Sequence, residues 1–245
     1  MKIISLKYTR CYLLPSGSKY ILIDTGYVYE WDRFTKQLND LNIPLSSISH
    51  LILTHHHDDH AGMVARLVAE NPHIVVVVSK VGAQYLLQGQ HVHPKGSGYI
   101  NRRVAFLLWF KSKFDKGWTH TFPAYQHRPT DVLIDGTVKF KDIGIELDGV
   151  IVETPGHSDD SISLVLDDGR CFCGDAAANF LRFAGTRYAV VWVDSWEEYY
   201  NSWEKLIALK VNRIYPAHGK DFHVNKLVTN LRKNRKKNMV VITQG

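Results

Sequence analysis

Cysteine is scarce. The 245-residue chain holds three, Cys11, Cys171 and Cys173. An odd number without a framework spacing excludes a disulfide scaffold and favours a reducing compartment. Cys171 and Cys173 read as small buried hydrophobes on a strand rather than as ligands. Long apolar runs are also missing. The longest stretches, such as residues 74–78 and 104–110, are far too short to span a bilayer. Residues 1–7 carry no long apolar run and no small-residue cleavage site, so they read as a first strand, and a cytoplasmic location is expected. No low-complexity linker interrupts the chain, which predicts one domain over residues 1–245. With 45% hydrophobic and 22% charged residues, such a domain can bury a full core, and general disorder is not indicated.

Histidine is concentrated. The run Thr54-His55-His56-His57-Asp58-Asp59-His60, read as His55-x-His57-x-Asp59-His60, packs four candidate ligands into six residues. Residues 50–54 before it read as a buried strand, and residues 61–70 after it as a helix. In an extended loop, side chains repeat every two residues, so His55 and His57 can point one way. Asp59 and His60, at the helix start, can turn towards a second point, which suits two adjacent ions better than one. Three further segments share the plan of a strand ending in a ligand-type residue at a turn. They are Thr154-Pro155-Gly156-His157-Ser158, Cys173-Gly174-Asp175-Ala176 and Ile214-Tyr215-Pro216-Ala217-His218-Gly219. Such strand ends converge on one edge of a sheet, where sites are commonly built.

Together these motifs, in this order, resemble the metallo-β-lactamase superfamily, and Tyr20-Ile21-Leu22-Ile23-Asp24-Thr25-Gly26 resembles its second-strand signature. The resemblance runs from about residue 11 to residue 223. It implies an α/β fold, the αββα sandwich. It also implies that His55, His57 and His157 hold one metal ion, that Asp59, His60 and His218 hold a second, and that Asp175 bridges them. His56 and Asp58 fall at variable positions of the motif. Asp24 is expected behind the ligands, accepting a hydrogen bond from a ligand or nearby backbone. Imidazole and carboxylate donors suit zinc first, with iron or manganese as alternatives. Two such ions share a water, lower its pKa and polarise a substrate oxygen. Asp59 is expected to orient the resulting bridging hydroxide and to carry a proton to the leaving group.

The stretch 88–130 fits neither half of the sandwich and is long for a loop, so it is expected to have its own structure. It is rich in aromatics (Tyr99, Phe106, Trp109, Phe110, Phe114, Trp118, Phe122, Tyr125) and basic residues, with Asp115 its only acid. Phe106, Trp109, Phe110 and Phe114 recur at helical spacing. The expectation is an inserted helical cap whose aromatics line an acyl or aromatic pocket; the alternatives are packing on the sandwich or a homodimer contact. His91, His93, His120 and His127 read as surface or hydrogen-bonding residues, because the ligand set is already complete. The net charge of +6 comes from this insert and from Arg232-Lys233-Asn234-Arg235-Lys236-Lys237. The terminal run reads as a solvated helix face, with nucleic-acid binding as the sharper alternative.

Departures from the superfamily's known activities narrow the expectation. The secreted β-lactamases carry signal peptides and lack an Asp bridge like Asp175. The glutathione-binding domain of glyoxalase II enzymes is not expected beyond His218, nor is a flavodoxin domain or the large extra domain of the RNA-processing members. The family's lactonases place a tyrosine three residues after the bridging aspartate. Ala178 stands there, and Asn179 and Tyr188 are the candidates to donate to a substrate oxygen. The expected activity is hydrolysis of a carboxylic ester, lactone or thioester on an acyl-bearing or anionic small molecule. The alternatives are phosphodiester hydrolysis and iron-dependent sulfur dioxygenation. A non-catalytic sensor is least favoured, since no expected ligand position is lost.

Overall fold

The computed structural model describes residues 1–113, 120–235 and 240–241. The first half contains β1 (Lys2–Ser5), β2 (Arg10–Ser16), β3 (Lys19–Ile23), α1 (Trp31–Asp40), β4 (Ile48–Ile52), α2 (Asp58–Ala61), α3 (Val64–Glu70), β5 (Val75–Ser79) and α4 (Lys80–Leu86). Short β6 (Gly98–Tyr99) and α5 (Arg102–Ser112) follow, then β7 (Val132–Ile134), β8 (Val138–Lys139), β9 (Gly149–Glu153), β10 (Ile162–Leu166) and β11 (Arg170–Gly174). The chain continues through β12 (Trp192–Val193), α6 (Trp196–Ala208), β13 (Arg213–Pro216), β14 (Phe222–His223), α7 (Asn225–Arg235) and β15 (Val240–Val241).

Two six-stranded sheets result, in the orders β1-β2-β3-β4-β5-β7 and β14-β13-β11-β10-β9-β8. The two-residue alternation of strands decides the layering. Ile21 and Ile23 on β3 join Ile162, Leu164 and Leu166 on β10 and Phe172 on β11 in the core between the sheets. Leu22, between the two isoleucines, faces the other way and packs with Trp31, Phe34 and Leu38 of α1. Cys171 and Cys173 flank Phe172 and pack outward with Tyr199, Trp203 and Leu206 of α6. The layers are therefore helix, sheet, sheet, helix, as the resemblance implies. Each large apolar side chain buried in this way contributes about 1.5–3 kcal/mol.

Three local expectations are revised. The helix expected over residues 61–70 is broken between α2 and α3. A β-carbon at Gly62 would meet Asp58 O at 2.3 Å and Gly26 O at 2.7 Å, so the chain passes there too closely for any side chain. The apolar residues of Ile145 to Thr154 predict a strand, which begins only at Gly149, after a 3-10 turn at Phe140–Ile143. The aromatic side of α5 faces outward: Phe106 is 62% exposed, Trp109 54% and Phe110 52%. Val104, Leu107 and Leu108 seat that helix on the second-sheet core instead. Phe114, Asp115, Lys116, Trp118, Lys236 and Lys237 lie outside the described residues.

Candidate metal centre

β3, β4 and β5 run parallel, as do β11 and β13. β9 is antiparallel to β10, and β10 to β11, so β9 points the same way as β11. The two sheets are tied together where these strands end. Ile162 N–H donates to Thr54 O (2.8 Å), Arg10 N–H to Ala217 O (2.9 Å) and Tyr12 O–H to Pro216 O (2.7 Å). The turns beyond the strands are braced from behind by α6. Ser202 Oγ donates to Pro155 O (2.7 Å), and Trp203 Nε1 donates to Ala176 O (2.6 Å). Gly156 adopts φ +129°, and a β-carbon there would lie 2.2 Å from Tyr199 N, so only glycine lets the His157 turn sit against α6.

One edge of the sandwich therefore gathers all seven residues singled out in the sequence as ligands. Candidate donor atoms of His55, His57 and His157 lie within 4.8 Å of one another, as do those of Asp59, His60 and His218, and those of His55, His60 and Asp175. His57 Nδ1 stands 3.0 Å from His157 Nε2. His218 Nε2 is 3.2 Å from Asp59 Oδ2. Asp175 sits between the groups. Its Oδ2 is 3.4 Å from His157 Nε2, and its Oδ1 is 3.3 Å from His218 Nε2 and 3.6 Å from His60 Nε2.

Hydrogen bonds behind the ring set the imidazole tautomers. His157 Nδ1–H donates to Trp192 O (2.9 Å), and His218 Nδ1–H to Tyr8 O (2.9 Å). His60 Nδ1–H donates to Asp24 Oδ2 (2.9 Å). Each bond commits Nδ1 as the donor and turns Nε2 inward, the arrangement in which outer groups orient metal-ligating histidines. Asp24 also accepts from Thr54 N–H (2.8 Å) and Thr54 Oγ1 (2.9 Å). Buried His55 Nε2, His60 Nε2 and Asp175 Oδ1 find no hydrogen-bond partner in the protein. Unpaired buried polar atoms are costly. Three of them converging from the β4–α2 segment and the turn after β11 fit a divalent ion, and the mix of imidazole and carboxylate suits zinc, iron or manganese.

The two groups differ electrically. Burial and neighbouring imidazoles push His55 and His57 well below the usual histidine range. Burial works the same way on His60, but Asp59, Asp24 and Asp175 outweigh it and raise it to about 9. Burial is likewise outweighed at His218, which Asp175 and Asp59 raise. Asp59 and Asp175 are held below the usual carboxylate range by surrounding histidines despite their burial. His55 and His57 are thus neutral imidazoles, whereas His60 and His218 hold protons beside Asp59 and Asp175.

The remaining candidates are not among the clustered donors. Asn179 N–H donates to His218 O (2.9 Å) and its Nδ2 to Lys220 O (3.0 Å), so it braces the His218 loop. Tyr188 is buried against Phe222. Phe106 lines an open groove of about 420 Å³ with Arg102, Arg103, Leu107, Phe183 and Ala184, and none of the seven edge residues is among its walls. Trp109 and Phe110 are not in that lining either. His56, set aside as a variable position, pairs with Asp160 at 2.9 Å, both side chains fully buried. Its Nε2 accepts from Val92 N–H (3.1 Å), so it fastens the start of the insert to the metal loop. No sequence signal linked positions 56 and 160.

The comparisons agree with this architecture. The family model described as the metallo-beta-lactamase superfamily matches residues 5–218, and the chain belongs to that superfamily of metallo-hydrolases. It is 30% identical over 218 residues to a beta-lactamase-like protein 2 homolog of Drosophila melanogaster, a match spanning 88% of this chain and 60% of that protein. It is 38% identical over 117 residues to thioesterase pkgB of Emericella nidulans, covering 43% of this chain and 34% of that one. The chain thus spans less than two thirds of the length of these curated relatives. Among solved structures, a metallo-beta-lactamase family protein from Thermus thermophilus superposes with TM-score 0.65 at 16% identity, covering 95% of this chain and 76% of that one. An archaeal superfamily protein from Sulfolobus tokodaii gives 0.60 at 19% identity, covering 97% and 84%. The fold implies divalent-metal binding. Among the described residues, no helix is long and apolar enough to cross a membrane.

Proposed function

We propose that this chain is a two-ion hydrolase of a thioester or related carboxylic ester, lactones included. The observation that carries the reading is Asp175, whose two carboxylate oxygens address separate donor groups on one edge. His55, His57 and His157 would hold one ion and Asp59, His60 and His218 the other, with zinc favoured. When bound, such ions acidify water and polarise a substrate oxygen. The thioester preference is supported by relatives named as thioesterases, including an atrochrysone carboxyl ACP thioesterase of Aspergillus terreus, 35% identical over 118 residues.

The protein's own part follows from exposure and charge. The side chains of Asp59 and His218 are 13% and 17% exposed, against 0% for His60 and 8% for Asp175, so water and substrate enter beside Asp59. Asp59, held ionised by His60 and His218, accepts a hydrogen bond from the attacking water and orients its oxygen towards the acyl carbon. As the new C–O bond forms and the C–S or C–O bond breaks, Asp59 takes the water's proton and delivers it to the leaving group. The fixed imidazoles hold the remaining polar groups in place, which limits reorganisation in the transition state.

Phosphodiester hydrolysis is the second reading. It draws on exposed Arg232 and Lys233 on α7 and on the Arg102–Arg103–Phe106 groove. The test assays acyl thioesters, aryl esters, lactones and bis-nitrophenyl phosphate with the wild type and with an Arg232→Glu/Lys233→Glu variant. Thioester or ester turnover is expected, with kcat/KM changed less than about twofold by the charge reversal and little by salt. Binding of RNA or DNA that falls steeply with salt and vanishes in the variant would transfer the assignment to the second reading.

A further inference from the structure

Outside the seven edge residues lies a second layer of histidines supplied by the insert. Gln90 and Thr121 form an isolated β-bridge, Phe122 N–H donates to Gly89 O (2.8 Å), and His91 N–H donates to His120 O (3.1 Å). This short ladder brings His91 and His120 side by side, with ring centroids 4.7 Å apart. Both face Asp58, a buried residue at the start of α2. Donor atoms of Asp58, His91 and His120 lie within 4.8 Å of one another.

The Nε2 atom of His91 faces a donor and an acceptor of Asp58 at once. Its Nε2 lies 2.7 Å from Asp58 N, an N–H that needs an acceptor. The same Nε2 lies 2.8 Å from Asp58 Oδ1, a carboxylate oxygen that needs a donor. A neutral Nε2 satisfies only the first, and a protonated one only the second. An ion on Nε2 and Oδ1 would take the lone pair that now accepts from Asp58 N–H and would open the pair from 2.8 Å to about 3–3.5 Å, the separation of two donors at bond lengths near 2.1 Å; the freed N–H is one of the first-turn donors that a helix leaves without an intrahelical partner.

We infer that Asp58, His91 and His120 form an accessory site for a third divalent transition-metal ion, separate from the two-ion centre. Two imidazoles and one carboxylate select a zinc-class ion over magnesium or calcium. His57, His91 and His93 also approach within 4.8 Å, but His57 Nδ1 is already turned to His157. None of Asp58, His91 and His120 has a place in the inner set. An ion there fastens both ends of the insert's ladder to the loop that carries His57 and Asp59. It makes the seating of the insert dependent on metal supply.

The test titrates the full chain with Zn²⁺ against a chromophoric chelator and compares wild type with Asp58→Asn, His91→Ala, His120→Ala and His93→Ala. Wild type is expected to bind one weaker equivalent beyond its tight ones. That equivalent weakens at least tenfold in each of the first three variants and persists in His93→Ala. His120 is exposed, so its variant keeps the fold, which far-UV circular dichroism verifies. Equal stoichiometry and affinity in wild type and His120→Ala would overturn the site. So would loss of the equivalent in His93→Ala with retention in His120→Ala. The comparison between chains is independent of how many ions the inner centre holds.

Discussion

Replacing Asp59 with asparagine is expected to lower kcat for ester or thioester hydrolysis by about 10²–10⁴, the range for loss of general acid–base catalysis. An amide keeps the shape of the carboxylate but cannot take the proton of the attacking water. Asp59 makes few polar contacts within the fold. Apart from its approach to His218 and His60, its only other polar neighbour among the described residues is Thr9 Oγ1 at 3.3 Å. The side chain is 13% exposed and faces His60 and His218, so the variant should still fold, with a modest loss of stability that urea midpoints read. Losing kcat and kcat/KM together marks an interaction made in the transition state. Metal content should be measured on the same sample, so that a lost ion is not mistaken for a lost proton carrier. Turnover close to wild type would remove Asp59 from the mechanism.

The second large effect belongs to Asp24. Asp24→Ala removes the acceptor of three buried donors: Thr54 N–H is left without one, while Thr54 O–H keeps only His55 Nδ1 (3.1 Å) and His60 Nδ1–H only Thr54 Oγ1 (3.3 Å). An unsatisfied buried group costs about 1–3 kcal/mol, so the variant should lose at least about that much folding stability. The backbone adds to this, because Asp24 adopts φ +60°, a region that aspartate and asparagine tolerate and alanine does not. Asp24→Asn separates the two roles. Its carbonyl oxygen still accepts from Thr54 N–H, and its backbone preference is retained, so stability should fall less. His60 Nδ1–H loses its carboxylate partner in both variants, and affinity for the second ion should drop about 10–100-fold. Urea midpoints and metal titrations read the two effects separately. An asparagine variant with wild-type metal affinity would reduce Asp24 to a purely structural residue.

The sandwich and the gathering of His55, His57, Asp59, His60, His157, Asp175 and His218 on one edge were legible because each lies in a turn or helix start a few residues beyond an apolar strand. Strand alternation then assigns the faces, as with Leu22 between Ile21 and Ile23. What escaped the sequence depends on pairings between distant residues. The break at Gly62 is imposed by Gly26 and Val28. His56 meets Asp160, and His91 meets His120, only through tertiary contacts that no local pattern announces. α5 shows the opposite failure. Its aromatics recur at helical spacing, but spacing does not say which side is covered, and here Val104 is buried while Phe106 is not.

The unequal electrostatics of the two donor groups give the most direct test of a two-ion centre. His60, raised to about 9, holds a proton throughout the neutral range, and His218 is raised in the same direction. An ion must displace those protons, so affinity at the second group should fall about tenfold per proton for each unit of acidification below 9. His55 and His57 are lowered well below 6.5, carry no proton to displace above pH 6, and should hold their ion across that range. The measurement is elemental analysis of the His120→Gln chain, which lacks the accessory site, after dialysis at pH 8.5 and at pH 6. Two ions per chain at pH 8.5, falling towards one at pH 6, is the predicted result. A single ion at both values, above all one iron accompanied by oxygen consumption on persulfides, would contradict the two-ion hydrolase.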